Sequence, residues 1–413
     1  MLLKMQRTIN KADFKNGYGL IKHFIWIIMA VLYIFNMFFT PNNLEDKSKI
    51  FEVLPGADYY EVLGGSPAIY AGYDAKTGNL KGFAAFADAT GYSGPLTALV
   101  GINLQAEIVG VKIVAHKETP YYFALIAHKK FLESLSGKKA NDGFKLNQSI
   151  DNVSGATVSA QAIISAVKKA SHAIAVQQLG LNVPAEKKQV QFGIKEGILL
   201  ATYGLILFGL WKKYLKLRYV TLAISTVVIG FWLNAAINIT NIGSLLLGYF
   251  PSVFNDIFWY LLIGGTIILT FALNKHIYCI WLCPFLGIQE LTAKIGGGNA
   301  TCSYKVKKNL QQIKYLLTSA AIALVFIFNN PGIANYEPFA VMFAFQGSEI
   351  QWLILFIVIV VSLFFYRFWC QLFCPVGVVF ETVLKLRGFF TGVFQGGYKW
   401  RRNSVFGKSA SPD

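Results

Sequence analysis

The sequence predicts a membrane protein with six transmembrane helices and a small α+β domain inserted after the first of them. Three observations lead to this fold class. Of the 413 residues, 54% are hydrophobic and only 14% are charged, whereas a soluble domain usually has about 25% charged residues. The apolar residues lie in separate runs that have the length of membrane spans, about 17–25 residues. One polar, turn-rich stretch, residues 41–192, interrupts these runs and is long enough to fold as a domain.

Six apolar runs are interpreted as membrane spans. They cover residues 20–40, 193–211, 219–238, 257–274, 314–329 and 350–368. We interpret the first as an uncleaved signal anchor, because it is too long for the apolar core of a signal peptide and no small-residue cleavage site follows it. In the second, only Gly197–Trp211 is uninterrupted, so Lys195 and Glu196 are expected at the membrane interface. The expected organisation is a cytoplasmic tail and anchor (1–40), an inserted domain (41–192), a five-span membrane domain (193–388) and a cytoplasmic tail (389–413).

The formal net charge of +17 is distributed as a membrane-topology signal. Residues 41–196 contain 16 Lys and 14 Asp or Glu, and the other 22 Lys and Arg all fall on one side of the six-span topology. Loops 239–256 and 330–349, on the other side, contain neither Lys nor Arg. Because basic residues remain cytoplasmic, both termini are expected in the cytoplasm and domain 41–192 outside it, in a multi-pass protein of the inner membrane. Lipid, and no nucleic acid, is the expected partner of this charge.

The inserted domain shows the mixed pattern of a small α+β fold. Alternating apolar residues predict strands at Gly82–Ala87, Thr97–Ile102 and Ile108–Ala115. Helical periodicity covers Tyr121–Ser136 and Val158–Ala175. The domain contains no cysteine, so it offers no thiol to an oxidising compartment.

The segment Asp151-Asn-Val-Ser154-Gly155-Ala156-Thr157-Val-Ser159 stands directly before the second of these helices. The first turn of a helix has unpaired N–H groups and a positive dipole end, which suit a phosphate. Gly155 and Ala156 allow the backbone to approach such a group closely. A plain N-cap turn built from small residues is the alternative interpretation of this spacing.

This segment resembles the flavinylation motif of the FMN-binding domain family, which includes the external flavin subunits of the sodium-pumping NADH:quinone reductase and of the Rnf complex. The resemblance implies that Thr157 carries FMN through a phosphodiester bond made by a dedicated flavin transferase. It also implies that Asp151, Ser154, Gly155 and Ala156 form the surrounding turn.

A second stretch of the same family is present in the same order. It consists of Gly91-Tyr92-Ser93-Gly94-Pro95, then Val100-Gly101 and Gly110-Val111, then His116-Lys117-Glu118-Thr119-Pro120. The resemblance implies that Gly91, Tyr92, Glu118, Thr119 and Pro120 bind the flavin, with Glu-Thr-Pro lining its isoalloxazine ring. The family usually has Gly after Glu-Thr-Pro, whereas this sequence has Tyr121, so Tyr121 or Tyr122 is expected to pack against the ring.

A pattern of two cysteines and a proline occurs twice in the second half of the chain. The copies are His276-Ile-Tyr-Cys279-Ile-Trp-Leu-Cys283-Pro284 and Arg367-Phe-Trp-Cys370-Gln-Leu-Phe-Cys374-Pro375, 91 residues apart. Each copy ends an apolar run at the cytoplasmic side. Spans 3–4 and 5–6 are therefore expected to form a parallel internal repeat.

Four cysteines in two matched pairs indicate a metal or redox centre. Cysteines at i and i+4 share one face of a helix, so two pairs can present four thiolates to an iron–sulfur cluster, [2Fe–2S] or [4Fe–4S], or to a tetrahedral zinc. Lys275, His276 and Arg367 add positive charge that would stabilise thiolates. A buried cysteine that acts only as a small hydrophobe is the alternative. Cys302 has no counterpart in the repeat and is interpreted as an incidental thiol.

The whole arrangement resembles a family of membrane flavoproteins that includes the accessory proteins of nitrous-oxide reductase and of reductive dehalogenase clusters. The resemblance implies electron transfer between a cytoplasmic-side cysteine centre, or the quinone (menaquinone) pool, and an external FMN that serves an external redox enzyme or carrier. A cytoplasmic electron donor is a further expected partner, and an oxidoreductase activity is the expected enzyme class. An accessory or regulatory role in maturing an external metalloenzyme is one alternative.

An ion-coupled redox pump is another alternative, but the spans contain almost no charged residues, whereas ion paths usually contain intramembrane carboxylates. The sequence has no Walker or Rossmann motif and no hydrolase triad, so neither ATP nor NAD is expected as a direct ligand.

Overall fold

The computed structural model describes residues 46–126, 129–144, 150, 157–184, 190, 192–254, 256–298, 300 and 304–394. Several predictions concern residues outside these ranges: the span at 20–40, the turn 151–156 and Cys302. The side chains of Tyr121 and Tyr122 also lie outside the description. Below, the described residues up to 184 are called the sheet domain, and those from 192 onward the helical domain.

The sheet domain is built on a five-stranded antiparallel sheet in which each strand pairs with the next. The strands are β1 (Tyr59–Gly64), β2 (Ile69–Tyr73), β3 (Leu80–Thr90), β4 (Pro95–Asn103) and β5 (Ile108–His116). The three predicted strands lie within β3, β4 and β5. The sequence did not indicate β1 and β2, because β1 is an almost fully exposed edge strand and β2 is buried along most of its length, so neither alternates.

One long helix covers one face of this sheet. The helices of the domain are α1 (Ile50–Val53), α2 (Pro120–Ile126), α3 (Lys129–Glu133) and α4 (Thr157–Gln177). The predicted helix 121–136 is divided between α2 and α3, whereas α4 contains the whole of the predicted helix Val158–Ala175. α4 packs on β3 and β4, with Ile163 and Val167 in a core shared with Ala85 and Val100.

The other face of the sheet is covered by α1 and the residues after it. Ile50 and Leu54 pack there against Tyr70 and Phe86. The approach is close at Gly101, where a Cβ atom would lie 2.0 Å from the carbonyl oxygen of Val53. Both faces of the central strands are therefore buried, which gives β3 and β4 their nearly continuous apolar sequences.

The helical domain contains ten helices among its described residues. They are α5 (Ile194–Trp211), α6 (Leu217–Trp232, π-helical over its second half), α7 (Ile239–Leu246), α8 (Ile257–Leu273), α9 (Pro284–Gly296), α10 (Tyr304–Phe328), α11 (Phe339–Ala344), α12 (Glu349–Phe364), α13 (Phe368–Leu372) and α14 (Pro375–Phe394). In the described part of the chain, two segments are long and apolar enough to cross a membrane, Ile194–Trp211 and Leu310–Phe328. Three shorter apolar helices, α6, α8 and α12, lie beside them.

The two segments that the sequence left as outer loops are folded and largely buried. Residues 239–246 form α7, and residues 331–344 form a 3₁₀ turn, Pro331–Ala334, followed by α11. Ile239 and Val341 have no exposed surface, and both belong to the core of the helical domain. The lack of Lys and Arg in these segments therefore also suits their burial, because a charge there would lose its hydration.

The sheet domain docks directly on these two segments. Lys117 Nζ donates to the hydroxyl of Tyr249 at 3.0 Å and to the carbonyl oxygen of Asn329 at 2.5 Å. Ser244 Oγ donates to the carbonyl oxygen of Ser93 at 2.8 Å. At Gly332 a Cβ atom would lie only 2.8 Å from the backbone nitrogen of Thr119, so only glycine permits this approach.

Candidate functional site

The two stretches of the sheet domain that were predicted to line a flavin meet at Glu118. Its carboxyl is buried, with 1% of the residue exposed, and Oε1 accepts a hydrogen bond from the backbone N–H of Tyr92 at 2.7 Å. A Cβ atom at Gly91 would lie 1.9 Å from this oxygen, so the turn requires glycine. Thr119 lies beside Ser93, with 3.5 Å between their hydroxyl oxygens. Pro120 begins α2.

Because it is buried, the Glu118 carboxyl loses its proton only near neutral pH. Burial raises the pKa of the Glu118 carboxyl to about 7. Hydrogen bonds from the Ser159 side chain and from the backbone of Tyr92 and Ser93 oppose that rise only in part. Its second oxygen, Oε2, is buried without a hydrogen-bond partner among the described residues. Burial also lowers the pKa of the neighbouring Lys117 to about 8. Both groups can therefore change charge close to physiological pH.

Thr157 is the first residue of α4 and is exposed. The next residue, Val158, lines a cavity of about 260 Å³ between the two domains. Its walls come from α4, from the end of β3 and from the segment after Tyr249; the lining residues are Ala89, Thr90, Val158, Gln161, Ala162, Ser165, Phe250, Ser252 and Asp256. Thr157 therefore stands next to a residue that borders a partly open space between the two domains.

The four cysteines lie together in the interior of the helical domain. Cys283 and Cys374 are each 6% exposed, and Cys279 and Cys370 are partly buried. All four are free thiols, and each is within electrostatic range of the others in the set. The two cysteine pairs, 91 residues apart in the chain, thus meet in one place.

The local geometry of each pair differs from the prediction of a shared helical face. Cys279 lies in a π-helical turn, Tyr278–Leu282, whereas Cys283 is the N-cap of α9. Cys370 lies in α13, and Cys374 directly precedes α14. The helix is broken inside each pair because Pro284 and Pro375 start a new helix, where the fixed φ of proline is favourable.

Starting a new helix at each second cysteine brings backbone N–H groups to its sulfur. Those of Phe285 and Leu286 face Cys283, and those of Val376 and Gly377 face Cys374. N–H groups directed at sulfur stabilise thiolate charge and help to set the potential of an iron–sulfur cluster.

The cation beside the cysteines is Lys314, which the sequence had placed at the end of a cytoplasmic loop. It is 9% exposed, and its Nζ lies 3.4 Å from the carbonyl oxygen of Cys370. Its charge acts on Cys279 and Cys374. The sequence feature that could have indicated this role is a lysine about one and a half turns before the continuous apolar stretch of α10.

Of the cations expected beside the cysteines, Arg367 acts electrostatically on Cys370 while it also pairs with Glu290, and Lys275 is exposed. Arg367 Nε donates to Glu290 Oε1 at 2.7 Å, and Arg218 pairs with the same carboxylate. Lys275 is exposed, and His276 lies near Glu381 and Lys385 as well as Lys314. The prediction that Lys275 and His276 stabilise thiolates is therefore replaced by Lys314 and the helix N–H groups.

Glu337, also missed from the sequence, is buried close to the second cysteine of each pair. It has no exposed surface and acts electrostatically on Cys283 and Cys374. Its Oε2 accepts from the backbone N–H of Ile239 at 2.8 Å, so it ties α7 to the segment before α11.

The four cysteines form a donor set that fits an iron–sulfur cluster. Cysteine thiolates are the usual ligands of such clusters, and four of them hold a [2Fe–2S] or a [4Fe–4S] cluster. Among the residues that the structure describes, no group of three His, Cys, Asp or Glu side chains is arranged as a single-ion site.

Comparison with known families agrees with both halves of the site. The FMN-binding domain family matches residues 91–172, and the 4Fe-4S binding domain family matches residues 255–301 and 351–393, which include all four cysteines. One component of an ion-translocating oxidoreductase complex from Methanosarcina acetivorans is 30% identical over 146 residues. The match covers 32% of this chain and 77% of that component. The chain belongs to the FMN-binding flavoprotein family.

Other flavoprotein relatives match more of this chain but are much longer. Protein NirI of Paracoccus denitrificans is 28% identical over 213 residues, 46% of this chain and 31% of NirI. Regulatory protein NosR of Pseudomonas aeruginosa is 25% identical over 191 residues, 42% of this chain and 26% of NosR. The chain thus spans less than a third of these two proteins. The chain combines an FMN-binding domain with a 4Fe-4S binding domain, and two of its described segments are long and apolar enough to cross a membrane.

Proposed function

We propose that the flavoprotein transfers electrons across the membrane between an iron–sulfur cluster on Cys279, Cys283, Cys370 and Cys374 and an FMN bound covalently to Thr157. The observation that carries this proposal is the direct docking of the sheet domain on two folded segments, one of which also bonds to the residue before Cys374. Tyr336, beside Glu337, donates to the carbonyl oxygen of Phe373 at 3.2 Å, next to Cys374. The same region receives Thr119 at Gly332.

The bond between Tyr92 and Glu118 supports the flavin end of the proposal, since it joins the two stretches that were each expected to line the ring. Gly91, Tyr92, Glu118, Thr119 and Pro120 would line the isoalloxazine ring, and Thr157 would hold the phosphate. When bound, FMN and the cluster supply the electron-accepting groups that amino acids lack. The protein fixes the distance between them, and Glu118 can hold or release a proton near pH 7.

Two further contacts support a pseudo-two-fold repeat of spans 3–4 and 5–6. Arg367, before the second cysteine pair, bonds to Glu290, after the first. His276, before the first pair, interacts with Glu381, after the second. The same crossed pairing in both directions is what a repeat predicts. It would present two thiolates from each half, with either [2Fe–2S] or [4Fe–4S] as the cluster.

The orientation follows from the distribution of Lys and Arg. The sheet domain docks on segments 239–256 and 330–349, which contain no Lys or Arg, so we place this end outside the cytoplasm. Both termini, and the loops rich in basic residues, would then lie inside. The external partner is a redox enzyme or carrier, and the inner partner is a quinone or a cytoplasmic donor.

Two alternatives have specific support. The similarity to a protein described as regulatory supports an accessory role in maturing an external metalloenzyme. The similarity to components of ion-translocating complexes, together with the buried ionisable side chains of Glu337 and Lys314, supports an ion-coupled pump.

The test uses the full-length protein, purified from a membrane and co-expressed with a flavin transferase. Electron transfer predicts a flavin that survives denaturation, bound iron and sulfide, and exchange of electrons between the flavin and iron–sulfur absorbance bands after partial reduction. A protein that contains both cofactors but never equilibrates them contradicts transfer and favours the accessory role. Proton uptake by sealed vesicles that accompanies electron exchange would favour the pump.

A further inference from the structure

A chain of hydrogen bonds crosses from the sheet domain into the helical domain at Tyr92. Asn238 Nδ2 donates to the hydroxyl of Tyr92 at 2.8 Å. One residue earlier, the backbone N–H of Ile237 donates to the hydroxyl of Tyr278 at 2.8 Å. We call the residues Tyr92, Asn238, Ile237 and Tyr278 the seam.

One end of the seam reaches the cysteines. Tyr278 immediately precedes Cys279 in the chain, and its carbonyl oxygen accepts a hydrogen bond from the backbone N–H of Cys283 at 2.8 Å. The other end reaches the flavin residues, because the backbone N–H of Tyr92 donates to Glu118. The seam is thus a continuous covalent and hydrogen-bonded path between the two halves of the site.

In the helical domain the side chains of the seam are buried and held in place, whereas Tyr92 is half-buried. Tyr278 is 1% exposed, and its ring stacks on Phe380 with 5.5 Å between centroids. Asn238 is 8% exposed and is fixed by a reciprocal capping interaction with Asn241 at the start of α7.

The distance that electrons must cross makes such a path useful. Lys314 lies at the level of the cysteines and Phe328 near the docking surface, and these 14 residues of α10 span about 21 Å at about 1.5 Å per residue. Electron tunnelling is faster through bonds and short hydrogen bonds than across gaps between non-bonded atoms. The seam replaces such gaps with two hydrogen bonds.

We propose that the seam is the route by which electrons pass between the cysteine centre and the flavin, an inference that rests on the proposed function. In each transfer the centre held by the four cysteines loses one electron and the flavin gains one, or the reverse. No covalent bond forms or breaks in the seam, and Tyr92 and Tyr278 keep their phenol protons. Both tyrosines are positioning residues that raise the electronic coupling.

The experiment measures electron exchange inside the loaded, full-length protein. After rapid partial reduction, the flavin and iron–sulfur absorbance bands are followed in the wild type and in Tyr92→Phe and Tyr278→Phe. Each substitution removes one hydroxyl and keeps the ring. We expect exchange to be slower by an order of magnitude in both variants. Flavin loading, iron content and midpoint potentials are measured in each variant, so that rates are compared at equal loading and driving force.

The matched control is Tyr249→Phe. This variant also loses a hydroxyl at the docking surface, which bonds to Lys117 and Asn329, but it lies off the seam. Its exchange is expected close to the wild-type rate. If the seam only attached the domains, all three variants would slow exchange equally, and that result would overturn the proposal.

The other outcomes also decide. A slower rate explained by shifted midpoint potentials overturns the coupling role. If the Tyr278→Phe variant loses its iron, the exchange rate of the Tyr92→Phe variant, whose substitution lies in the other domain, is the test of the seam. A wild-type protein with both cofactors but without exchange overturns the proposed function itself, whereas exchange that is normal in every variant overturns only the seam.

Discussion

Thr157 stands at the exposed start of α4, where a transferase can reach its hydroxyl. Thr157→Ala should abolish flavin fluorescence in a denaturing gel, because alanine has no oxygen to form the phosphodiester. Ser154→Ala should reduce loading less, since a serine in the turn does not carry the bond. Thr77→Ala, in an exposed turn of the same domain, is the control and should label like the wild type. Fluorescence that persists in Thr157→Ala would show that the flavin is attached elsewhere.

Glu118 makes the stability of the sheet domain depend on pH. Burial raises its pKa from an ordinary 4.5 to about 7, so the folded state holds the proton more tightly than the unfolded state. The resulting stability is fully present below about pH 4.5 and is lost as pH rises through 7, a change of about 3 kcal/mol. Burial lowers the pKa of Lys117 to about 8, so Lys117 changes the pH dependence of stability only above this pH range.

The variant Glu118→Gln is always neutral and should remove this dependence between pH 5 and 7. Thermal unfolding in detergent at several pH values measures it. Glu61→Gln, which changes an exposed carboxyl of β1, should keep the wild-type slope. An equal slope in the Glu118→Gln variant and the wild type would mean that Glu118 is ionised in the fold at pH 5.

Lys314 should raise the reduction potential of a cluster bound by the cysteines, because its positive charge stabilises the reduced, more negative state. Lys314→Met keeps the length of the side chain and removes the charge, so the midpoint potential should fall. Redox titration followed by electron paramagnetic resonance measures it. Lys275→Met removes an exposed charge and should leave the potential unchanged. If both variants have the same midpoint potential, the charge of Lys314 lies too far from the cluster to affect its potential.

At the scale of elements, the sequence predicted the strands and helices whose own residues show a clear apolar period. Strands β3 to β5 and helix α4 were predicted because their apolar periods are clear. The folded segments α7 and α11 were missed, because helices of eight and six residues are too short to show a helical period. The prediction that the two cysteines of each pair share one helical face was wrong, because the proline after the second cysteine starts a new helix there.

The two cysteine elements should act as one unit, since the structure brings both pairs together. Loss of one cysteine, as in Cys279→Ala, should remove most of the bound iron. A second loss from the other pair, Cys279→Ala with Cys374→Ala, should then change little. Cys302→Ser should keep its iron and is the control. Additive losses would indicate two independent sites. Absent iron in the wild type, with four freely alkylated thiols, would exclude the cluster.

At the scale of the whole molecule, the docking of the two domains could not be predicted from the sequence. Tyr92 and Asn238 are 146 residues apart, and Lys117 and Tyr249 are 132 apart. Such pairs show no local pattern, because each partner only looks like an ordinary polar residue. The sequence did place the flavin residues and the cysteines in separate domains, which leaves their orientation in the membrane as the main prediction.

That orientation can be tested with intact spheroplasts. Since 22 basic residues fall on one side of the proposed topology and segments 239–256 and 330–349 contain none, residues 41–192 should face outward. A protease added outside should cut within that stretch before lysis, and an antibody to the C-terminus should then detect the protected helical domain. A cytoplasmic marker protein that stays uncut is the control for intact cells. Cleavage only after lysis would invert the topology, and the flavin would then face the cytoplasmic donor instead of an external acceptor.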